Sequence, residues 1–471
     1  MATVSKKKKF SLKVLSRNPE EYRRETKLDI HKAPQNPDAY LHPFSLGREY
    51  QRALNATKLE RVFAKPFLCG LDGHKDTIEA LAKFPSRLAH VLSAASDGEV
   101  RLWDLSTKKC VSSVVAHDGL VHSLCAHRSG QFFLSTGQDA NIKFWSCSEE
   151  GKIGAEPVRT ILNKNVYQGI DHHEKEEIFV TCGQSLDVWA GDRSQPYQSY
   201  KWGLDSMHHV KFNRIETHLI AVAADDRSIM LYDTRGGSGV QKLVMKMKTN
   251  SLCWNPMQAY MFTAACDDFN LYSYDIRNLR IASNKYEDHI GAVMDIDYAP
   301  TGKEFVTAGY DRCVRIFNVA EGHSRDVYTT KRMQRVNHIL WSMDNKYILS
   351  GSDEMNVRLW KAKASEKLGV MKPREKSAFN TMETLKKTFK DHPEIKRIAR
   401  HRHLRETRLH HRNSRSGHRR MPRREKRATG GSTANQARYH LWRTGQNRSW
   451  TSKNSSRGLW GAGVGVVCVV C

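Results

Sequence analysis

The fold of this chain is decided by a short stretch, Ser96-Asp97-Gly98-Glu99-Val100-Arg101-Leu102-Trp103-Asp104, which recurs in variant form along the sequence. It starts with a turn that contains an acidic residue, continues as alternating apolar and polar residues, and closes with an aromatic residue. Alternation with a period of two is typical of a half-buried β-strand. The stretch therefore predicts a turn that leads into a strand.

The aromatic residues at the ends of these strands stand at an even period. They are Trp103, Trp145, Trp189, Tyr232, Tyr274, Phe317 and Trp360. Their separations are 42, 44, 43, 42, 43 and 43 residues, and a four-stranded propeller blade is about 40 to 45 residues long. We therefore predict an all-β protein, a seven-bladed β-propeller.

Polar residues keep fixed distances from these aromatic residues. Six residues before them stand carboxylates, at Asp97, Asp139, Asp226, Asp268, Asp311 and Glu354, and only the third repeat departs from this, with Gly183. Ten residues before them stand Ser93, Ser135, Thr307 and Ser350, and 28 or 29 residues before them stand His74, His117 and His289. In this combination the chain resembles the WD-repeat family, so the predicted propeller is of the WD40 type.

In WD-repeat proteins these residue types form a buried, hydrogen-bonded chain that ties the strands of a blade together. The resemblance implies two complete sets, one of His74, Ser93, Asp97 and Trp103, the other of His117, Ser135, Asp139 and Trp145. Because the Asp–His pair recurs in several repeats, we interpret it as scaffold and not as catalytic machinery. The third, fourth, fifth and seventh blades lack the aligned histidine, so the sequence does not determine the hydrogen bonds inside these blades.

Closure of the ring is a further requirement, because an open ring would leave bare strand edges. The segment Val62–Leu71 precedes the first repeat and, as in WD-repeat proteins, can supply the outer strand of the last blade. We therefore place the propeller at residues 62–361. Basic, partly helical or disordered extensions flank it at residues 1–61 and 362–404, and residues 405–471 are predicted to be a disordered tail.

The charge of the chain is concentrated at its two ends. Residues 1–60 hold 13 Lys and Arg against 7 Asp and Glu, residues 61–360 hold 35 against 36, and residues 361–471 hold 28 against 7. Basic arms that neutralise phosphates release counterions, which favours nucleic acid as the partner. An anionic membrane surface, an acidic protein and a merely solvated tail are the alternatives.

The cluster Lys6, Lys7, Lys8 and Lys9 has the composition of a nuclear localisation signal.

The flanking sequences resemble one WD-repeat family in particular, the Sof-like ribosome-biogenesis factors of the small-subunit processome. The similar motifs are Leu15–Tyr22, Arg52–Phe67, Gly351–Ala362, Ala364–Gly369 and His392–Leu404. The resemblance implies a non-enzymatic protein of the nucleus and nucleolus that takes part in pre-18S ribosomal RNA processing. Its implied partners are pre-ribosomal RNA and small nucleolar ribonucleoprotein (RNP) proteins.

Residues 373–400 are predicted to form a basic amphipathic helix that is interrupted near Pro393. The candidate RNA-binding cations at the end of this region and just after it are Lys396, Arg397, Arg400 and Arg402. The alternative is a helix that packs on the propeller rim and leaves its basic face to solvent. The family pattern is not recognisable after Leu404, and we assign no function there.

The chain also resembles WD-repeat substrate receptors of cullin-RING ubiquitin ligases, which carry a Trp-Asp-x-Arg box for their adaptor. Two stretches fit this box with Tyr in place of Trp: Tyr232-Asp233-Thr234-Arg235 and Tyr274-Asp275-Ile276-Arg277. The alternative reading is that Asp233 and Asp275 end a strand while Arg235 and Arg277 are solvated. A ligase receptor is therefore the second candidate function.

An enzyme finds no support in the sequence, because it has no Gly-rich phosphate loop, no zinc-hydrolase spacing and no nucleophile elbow. We expect no cofactor and no metal site. The scattered cysteines are predicted to be free thiols, mostly buried. The longest apolar run, Gly458–Cys471, is shorter than the roughly 20 residues of a spanning helix, so neither export nor a membrane span is expected.

Overall fold

The computed structural model describes residues 39–148, 151–202 and 205–401 of the chain. These residues form seven four-stranded antiparallel sheets, three α-helices and a short 3-10 helix, Ala39–Leu41. The predicted seven-bladed propeller is confirmed. The Lys6–Lys9 cluster, Arg402 and the tail after Leu404 lie outside the described residues.

Each blade contains four strands, which we name a to d from the centre outward. Blade 1 contains β2 (Ile78–Lys83), β3 (His90–Ala95), β4 (Glu99–Asp104) and β5 (Lys109–Val115), and blade 2 contains β6 (Val121–Ala126), β7 (Phe132–Gly137), β8 (Asn141–Ser146) and β9 (Arg159–Leu162). Blade 3 contains β10 (Gly169–His172), β11 (Ile178–Cys182), β12 (Leu186–Ala190) and β13 (Gln198–Tyr200), and blade 4 contains β14 (Met207–Phe212), β15 (Leu219–Ala224), β16 (Ser228–Asp233) and β17 (Gly239–Val244). Blade 5 contains β18 (Thr249–Trp254), β19 (Met261–Cys266), β20 (Asn270–Asp275) and β21 (Asn284–Glu287), and blade 6 contains β22 (Val293–Tyr298), β23 (Glu304–Gly309), β24 (Cys313–Asn318) and β25 (Ser324–Tyr328). Blade 7 contains β26 (Val336–Trp341), β27 (Tyr347–Ser352), β28 (Asn356–Lys361) and, as its d strand, β1 (Phe67–Asp72).

Burial follows the position of a strand within its blade. The b strands are almost wholly buried, and β15 accordingly reads as an uninterrupted apolar run, Leu-Ile-Ala-Val-Ala-Ala. The d strands are less buried than the b strands, as in β5, where no residue is fully buried. A strand whose two faces are both covered by neighbouring sheets needs apolar residues at every position, whereas an edge strand does not.

The apolar core lies between the blades. Trp145 of blade 2 packs in one cluster with Leu92 and Leu102 of blade 1, and Trp103 of blade 1 packs with Leu340 and Leu349 of blade 7. A single blade therefore cannot bury its own apolar faces, and the sheets are stable only as a stack.

The ring closes where the first strand meets the last blade. Strand β1 pairs antiparallel with β28, from Phe67 opposite Trp360 to Asp72 opposite Asn356, which confirms the predicted closure. The strand is shorter than the predicted segment at its N-terminal end, because Val62 is still helical and Pro66 has no N–H to donate. The Pro66 carbonyl nevertheless accepts a 2.8 Å hydrogen bond from the Lys361 backbone N–H.

Three α-helices lie in the arms: α1 (Ser45–Val62), α2 (Pro373–Thr388) and α3 (Pro393–Ala399). The helix predicted for residues 373–400 is present in two pieces, and the break falls just before Pro393, as expected. Both α2 and α3 begin with proline, whose missing N–H has no role in the first helical turn. None of the helices described in this chain is long and apolar enough to cross a membrane.

We expect Leu71→Ala to weaken ring closure. Leu71 is buried in β1 and packs in the same cluster as Val357 and Leu359 of β28, and truncation of a buried leucine costs about 2–5 kcal/mol. The free energy of unfolding, measured by urea denaturation, should fall within that range. The control is Val115→Ala, which truncates an exposed side chain on β5, a d strand of the same ring. Equal effects of the two substitutions would contradict the role of β1 in closure.

Candidate functional site

The predicted four-residue chain is complete in blade 2. The His117 Nδ1 atom lies 2.8 Å from Asp139 Oδ1, and its Nε2 atom lies 2.7 Å from Ser135 Oγ, which also accepts a 3.1 Å hydrogen bond from Trp145 Nε1. Burial lowers the pKa of His117, against the opposing effect of Asp139. The imidazole is enclosed and fully partnered, so this arrangement ties β7 and β8 to the connection that precedes β6.

Blade 1 joins three of its four predicted residues. Ser93 Oγ lies 2.5 Å from His74 Nε2 and accepts a 2.7 Å hydrogen bond from Trp103 Nε1. The expected link from His74 to Asp97 is not made: His74 Nδ1 has no hydrogen-bond partner among the described residues, and Asp97 accepts a 3.0 Å hydrogen bond from the Glu99 backbone N–H within its own turn. Burial lowers the pKa of His74 to about 4, so its ring is neutral at physiological pH.

A single group with metal-ligand spacing occurs in the part of the chain that the structure describes. The ligand atoms of His74, Asp97 and Glu99 lie within 4.8 Å of one another. The guanidinium of Arg101 already forms a 2.9 Å ion pair with Glu99 at this place, and a fixed cation disfavours a second one. We therefore interpret the group as part of the blade scaffold.

Blades 6 and 7 keep parts of this four-residue hydrogen-bonded network. In blade 6, His289 contacts Asp311 at 3.3 Å and Thr307 at 2.7 Å, while Phe317 stands where an indole would donate. In blade 7, Trp360 Nε1 donates to Ser350 Oγ at 2.9 Å. The network is therefore tolerant of missing members.

Blades without the aligned histidine satisfy their buried polar groups with tyrosine and hydroxyl side chains. In blade 3, Tyr167 Oη donates to Asp187 Oδ2 at 2.8 Å, and Trp189 Nε1 donates to Thr181 Oγ1 at 2.8 Å. In blade 5, the hydroxyls of Thr263, Ser273 and Tyr286 form a connected cluster with that of Tyr298 in β22 of blade 6. The networks that the sequence left open are thus filled by different residue types.

The a strands surround a central cavity of about 550 Å³ that contains buried ion pairs. Lys83 of blade 1 lies 2.6 Å from Asp297 of blade 6, and Asp297 also accepts a 2.7 Å hydrogen bond from the Trp341 N–H of blade 7. Asp295 accepts from the Ile339 N–H of blade 7 in the same way, at 2.9 Å. Carboxylates of one blade thus bind the backbone of the next.

The three helices pack on one another and form what we call the helical module. Apolar and small residues at i, i+3, i+4 and i+7 of α1, from Tyr50 to Thr57, face the two C-terminal helices. Leu54 and Ile395 are buried in the cluster that they form with Leu385, Phe389 and Ile398. The Tyr50 ring centroid lies 4.3 Å from that of His392, so the N-terminal and C-terminal arms are joined.

Ion pairs join the helices of this module to one another and to the propeller. Glu60 of α1 binds Lys386 of α2 at 2.8 Å, and Arg61 binds Asp326 of β25 at 2.9 Å. Burial opposes ionisation of Glu60, but Lys386 and Ser365 outweigh it and hold its pKa below its usual value. The C-terminal helices are therefore packed against α1, not against the blades alone.

The predicted basic residues of α3 face solvent. Lys396, Arg397 and Arg400 are exposed, while Ile395 and Ile398 point into the module. Residues 373–400 hold eight Lys and Arg against four Asp and Glu. The helix thus combines the packed and the basic face that the sequence suggested.

The two candidate adaptor boxes lie at the ends of equivalent c strands. Asp233 ends β16 and Asp275 ends β20, and each accepts a 3.0 Å hydrogen bond from the backbone N–H of the arginine two residues later. Arg277 also forms a 2.9 Å ion pair with Asp275, which lowers the pKa of that carboxyl group. Both arginine side chains are 67% exposed, so the turns present them to solvent.

Comparison with known proteins agrees with this geometry. Residues 362–441 match the Sof1-like domain, and residues 65–104, 108–146, 282–318 and 321–361 match the WD domain, G-beta repeat. "DDB1- and CUL4-associated factor 13" of Xenopus tropicalis and of Homo sapiens are each 54% identical over 84% of this chain and 89% of their own. "Protein SOF1" of Saccharomyces cerevisiae is 42% identical over 84% of this chain and 86% of its own.

The chain belongs to the Sof1-like WD-repeat family. The propeller of this Sof1-like protein also resembles a solved one, the WD40 beta propeller domain of Doa1, with a TM-score of 0.54 and 18% identity over 63% of this chain and 96% of that one. The Sof1-like domain match continues to residue 441, so the prediction that the family pattern ends at Leu404 was wrong.

Sequence reasoning missed several residues of this Sof1-like protein that hold the sites in place. The apolar spacing Tyr50, Ala53, Leu54, Thr57 is a helical signal that was available. Asp295 and Asp297 alternate with apolar residues in β22 and carry no signal that distinguishes them from exposed carboxylates.

We expect Ser135→Ala to destabilise the Sof1-like propeller. The change removes the acceptor of Trp145 Nε1 and the partner of His117 Nε2, and an unsatisfied buried polar group costs about 1–3 kcal/mol. Urea denaturation should show this loss. The control is Ser350→Ala in blade 7, which leaves one donor, Trp360 Nε1, without its acceptor. This change should lower the free energy of unfolding by less. A larger loss for the control would contradict the network interpretation.

Proposed function

We propose that this protein is a non-enzymatic scaffold of the small-subunit processome, required for pre-18S ribosomal RNA processing. The observation that carries the proposal is the helical module, whose helices α2 and α3 lie within the Sof1-like domain match and which exposes Lys396, Arg397 and Arg400. Cations on one face of a packed helix can neutralise successive phosphates. The partners are pre-ribosomal RNA and small nucleolar RNP proteins.

The propeller body has a different role in this proposal. Residues 61–360 carry 35 basic and 36 acidic side chains, so their balanced charge suits protein partners better than RNA. The arms bring the protein to RNA, and Lys6–Lys9 is the proposed nuclear targeting signal. The proposed location is accordingly the nucleolus.

Crosslinking in cells tests the RNA contact. The tagged wild-type chain should crosslink to pre-18S RNA and, by fluorescence microscopy, should lie in the nucleolus. The combined change Lys396→Glu, Arg397→Glu and Arg400→Glu should reduce crosslinking by about tenfold or more. In vitro, it should flatten the slope of log affinity for single-stranded RNA against log salt by about 2, because three contacts at roughly 0.7 each are lost.

The matched control reverses three exposed lysines of the propeller, Lys109, Lys175 and Lys303. It changes the net charge by the same amount but should leave crosslinking and the salt slope unchanged. Equal losses of crosslinking for both variants would mean that the effect comes from net charge and not from contacts made by these three residues. No crosslink to pre-ribosomal RNA from the wild type would contradict direct contact.

A second candidate function is that of a substrate receptor in a cullin-RING ubiquitin ligase. The relatives named "DDB1- and CUL4-associated factor 13" favour it, together with the exposed arginines of the two boxes. The two functions are compatible, because the boxes lie on blades 4 and 5 and the cations lie on α3.

Replacement of both boxes tests this second function. We expect the fourfold change Asp233→Ala, Arg235→Ala, Asp275→Ala and Arg277→Ala to lower co-purification of DDB1 with the tagged chain. The folded fraction should be unchanged, since exposed ion pairs contribute at most about 1 kcal/mol. Undiminished co-purification would mean that neither box is needed for docking.

A further inference from the structure

Two turns and one connection form an exposed surface on blades 6 and 7. The connection is residues 329–335, between β25 and β26, and the turns are residues 310–312 and 353–355, each between the b and c strands of its blade. Because neighbouring strands are antiparallel, these segments lie at the face of the ring opposite to the c-strand ends that carry the two candidate adaptor boxes. The Asp353 backbone N–H donates to the Arg335 carbonyl at 3.1 Å and joins the connection to the second turn. We call Tyr310, Arg312, Arg332 and Arg335 the blade 6–7 surface.

This surface is basic although the charge of the whole propeller is balanced. The connection contains three basic and no acidic side chains, and all three arginines of the surface are exposed. The carboxylates of the two turns are mostly engaged inside the blades. Asp311 lies 3.5 Å from Arg315 Nε. Glu354 pairs with Arg358. The half-buried Asp353 offsets one positive charge, so an excess of cations faces solvent here.

Tyr310 adds an aromatic ring to these arginines. The residue is 43% exposed, and the guanidinium carbon of Arg335 lies 5.1 Å from the ring centroid, within the range of a cation–π contact. The phenol ring and the guanidinium group are both flat, and unpaired bases stack on both kinds of group in nucleic-acid complexes.

The polar network of blade 6 holds the turn that carries Tyr310. The Tyr310 N–H donates to the Ala292 carbonyl at 2.9 Å, and the Asp311 carboxylate contacts His289 at 3.3 Å. A Cβ atom at Gly291 would lie 2.9 Å from the Asp311 backbone nitrogen, so the preceding connection passes this turn at a distance that requires glycine. The turn is therefore preorganised, and a ligand that binds there removes little conformational entropy.

The composition of the surface favours a nucleic acid over a protein. Protein interfaces bury apolar side chains at their centre, whereas Tyr310 and Met355 are the only exposed large hydrophobic residues in these three segments, all of which the structure describes. Cations next to an aromatic platform are typical of proteins that bind single strands, because the cations neutralise phosphates while the ring stacks with a base.

We propose that the blade 6–7 surface binds single-stranded RNA, with an unpaired base stacked on Tyr310 and phosphates bound by Arg312, Arg332 and Arg335. Arg335 also positions the Tyr310 ring. The choice of RNA over DNA rests on the proposed function. The inference goes beyond that function because it gives the propeller an RNA contact of its own, on different elements from the cations of α3.

Fluorescence anisotropy with the full-length chain and a labelled single-stranded RNA of about twelve nucleotides tests the stacking contact. We expect Tyr310→Ala to raise the Kd by at least about fivefold without changing the dependence of the Kd on salt, since the ring carries no charge. The matched control is Tyr197→Ala in blade 3. Tyr197 is 61% exposed and also lies beside an arginine, with the guanidinium carbon of Arg193 at 5.7 Å from its ring. The Kd of this control should stay within about twofold of the wild type.

The same RNA annealed to its complement separates stacking from charge. Bases that are paired within a duplex are not available to the ring, so Tyr310→Ala should leave the Kd for the duplex unchanged. A loss of affinity for the duplex equal to that for the single strand would contradict the stacking contact.

A second pair of variants tests the phosphate contacts. Arg312→Glu should flatten the slope of log affinity against log salt by about 0.7, the value for one phosphate contact to a single strand. The matched control is Arg227→Glu, an exposed arginine at the equivalent turn position of blade 4, with φ of 65° against 60° for Arg312. The control makes the same charge change in the same backbone conformation and should leave the slope unchanged.

The outcomes separate this inference from the function on which it rests. The combined change Lys396→Glu, Arg397→Glu and Arg400→Glu is measured in the same assay. If only this α3 variant weakens RNA binding, the proposed α3 contact stands and the blade 6–7 surface is overturned. If only the Tyr310 and Arg312 variants weaken it, the surface stands and the α3 contact fails. No RNA binding by the wild-type chain would overturn both.

An acidic protein is the competing partner for a basic surface. A labelled polyglutamate peptide tests it in the same assay. If Tyr310→Ala and Arg312→Glu weaken binding of the peptide while RNA binding persists, the surface belongs to a protein partner and the proposal is wrong.

Discussion

The pairing of β1 with β28 is the constraint on which the rest of this structure depends. Each blade buries its apolar faces only against its neighbours, so the stack is complete when blade 7 has all four strands and meets blade 1. Because β1 comes from the N-terminal end of the propeller and β28 from its C-terminal end, both arms leave the ring at the same seam. Closure therefore brings together the two arms, whose helices α1 and α2 are more than 300 residues apart in the sequence.

The helical module follows from this seam. Helix α1 ends five residues before β1, and α2 begins twelve residues after β28, so short connections deliver both to one place. There the Glu60–Lys386 pair and the contact between Leu54 and Ile395 join the arms, and Arg61 ties them to blade 6. The basic face of α3 is rigid because ring closure and helix packing fix it together.

Period and alternation were enough to predict seven blades, and apolar spacing together with Pro393 predicted the broken C-terminal helix, because these features depend on local patterns. The closing strand was predicted from the resemblance to WD-repeat proteins. The contact between Tyr50 and His392 could not be predicted, since no local pattern reports a partner so far along the chain. The hydrogen bond between Tyr167 and Asp187 in blade 3 could not be predicted either, because a different residue type there satisfies the buried polar groups. The link from His74 to Asp97 is absent although the equivalent link from His117 to Asp139 is made, so the residue types at these positions do not by themselves determine it.

The polar networks within blades and the apolar contacts between blades contribute differently to the stability of the ring. This difference explains which blades depart from the repeat pattern. The repeat matches cover blades 1, 2, 6 and 7 and leave residues 147–281 unmatched, yet those blades are as deeply buried as the rest. Since apolar contact between blades holds the ring, blades 3 to 5 can lose the histidine without losing the fold. Their connections are then free to diverge, and it is there that Asn213 and Asn255 fasten loops bearing exposed apolar side chains.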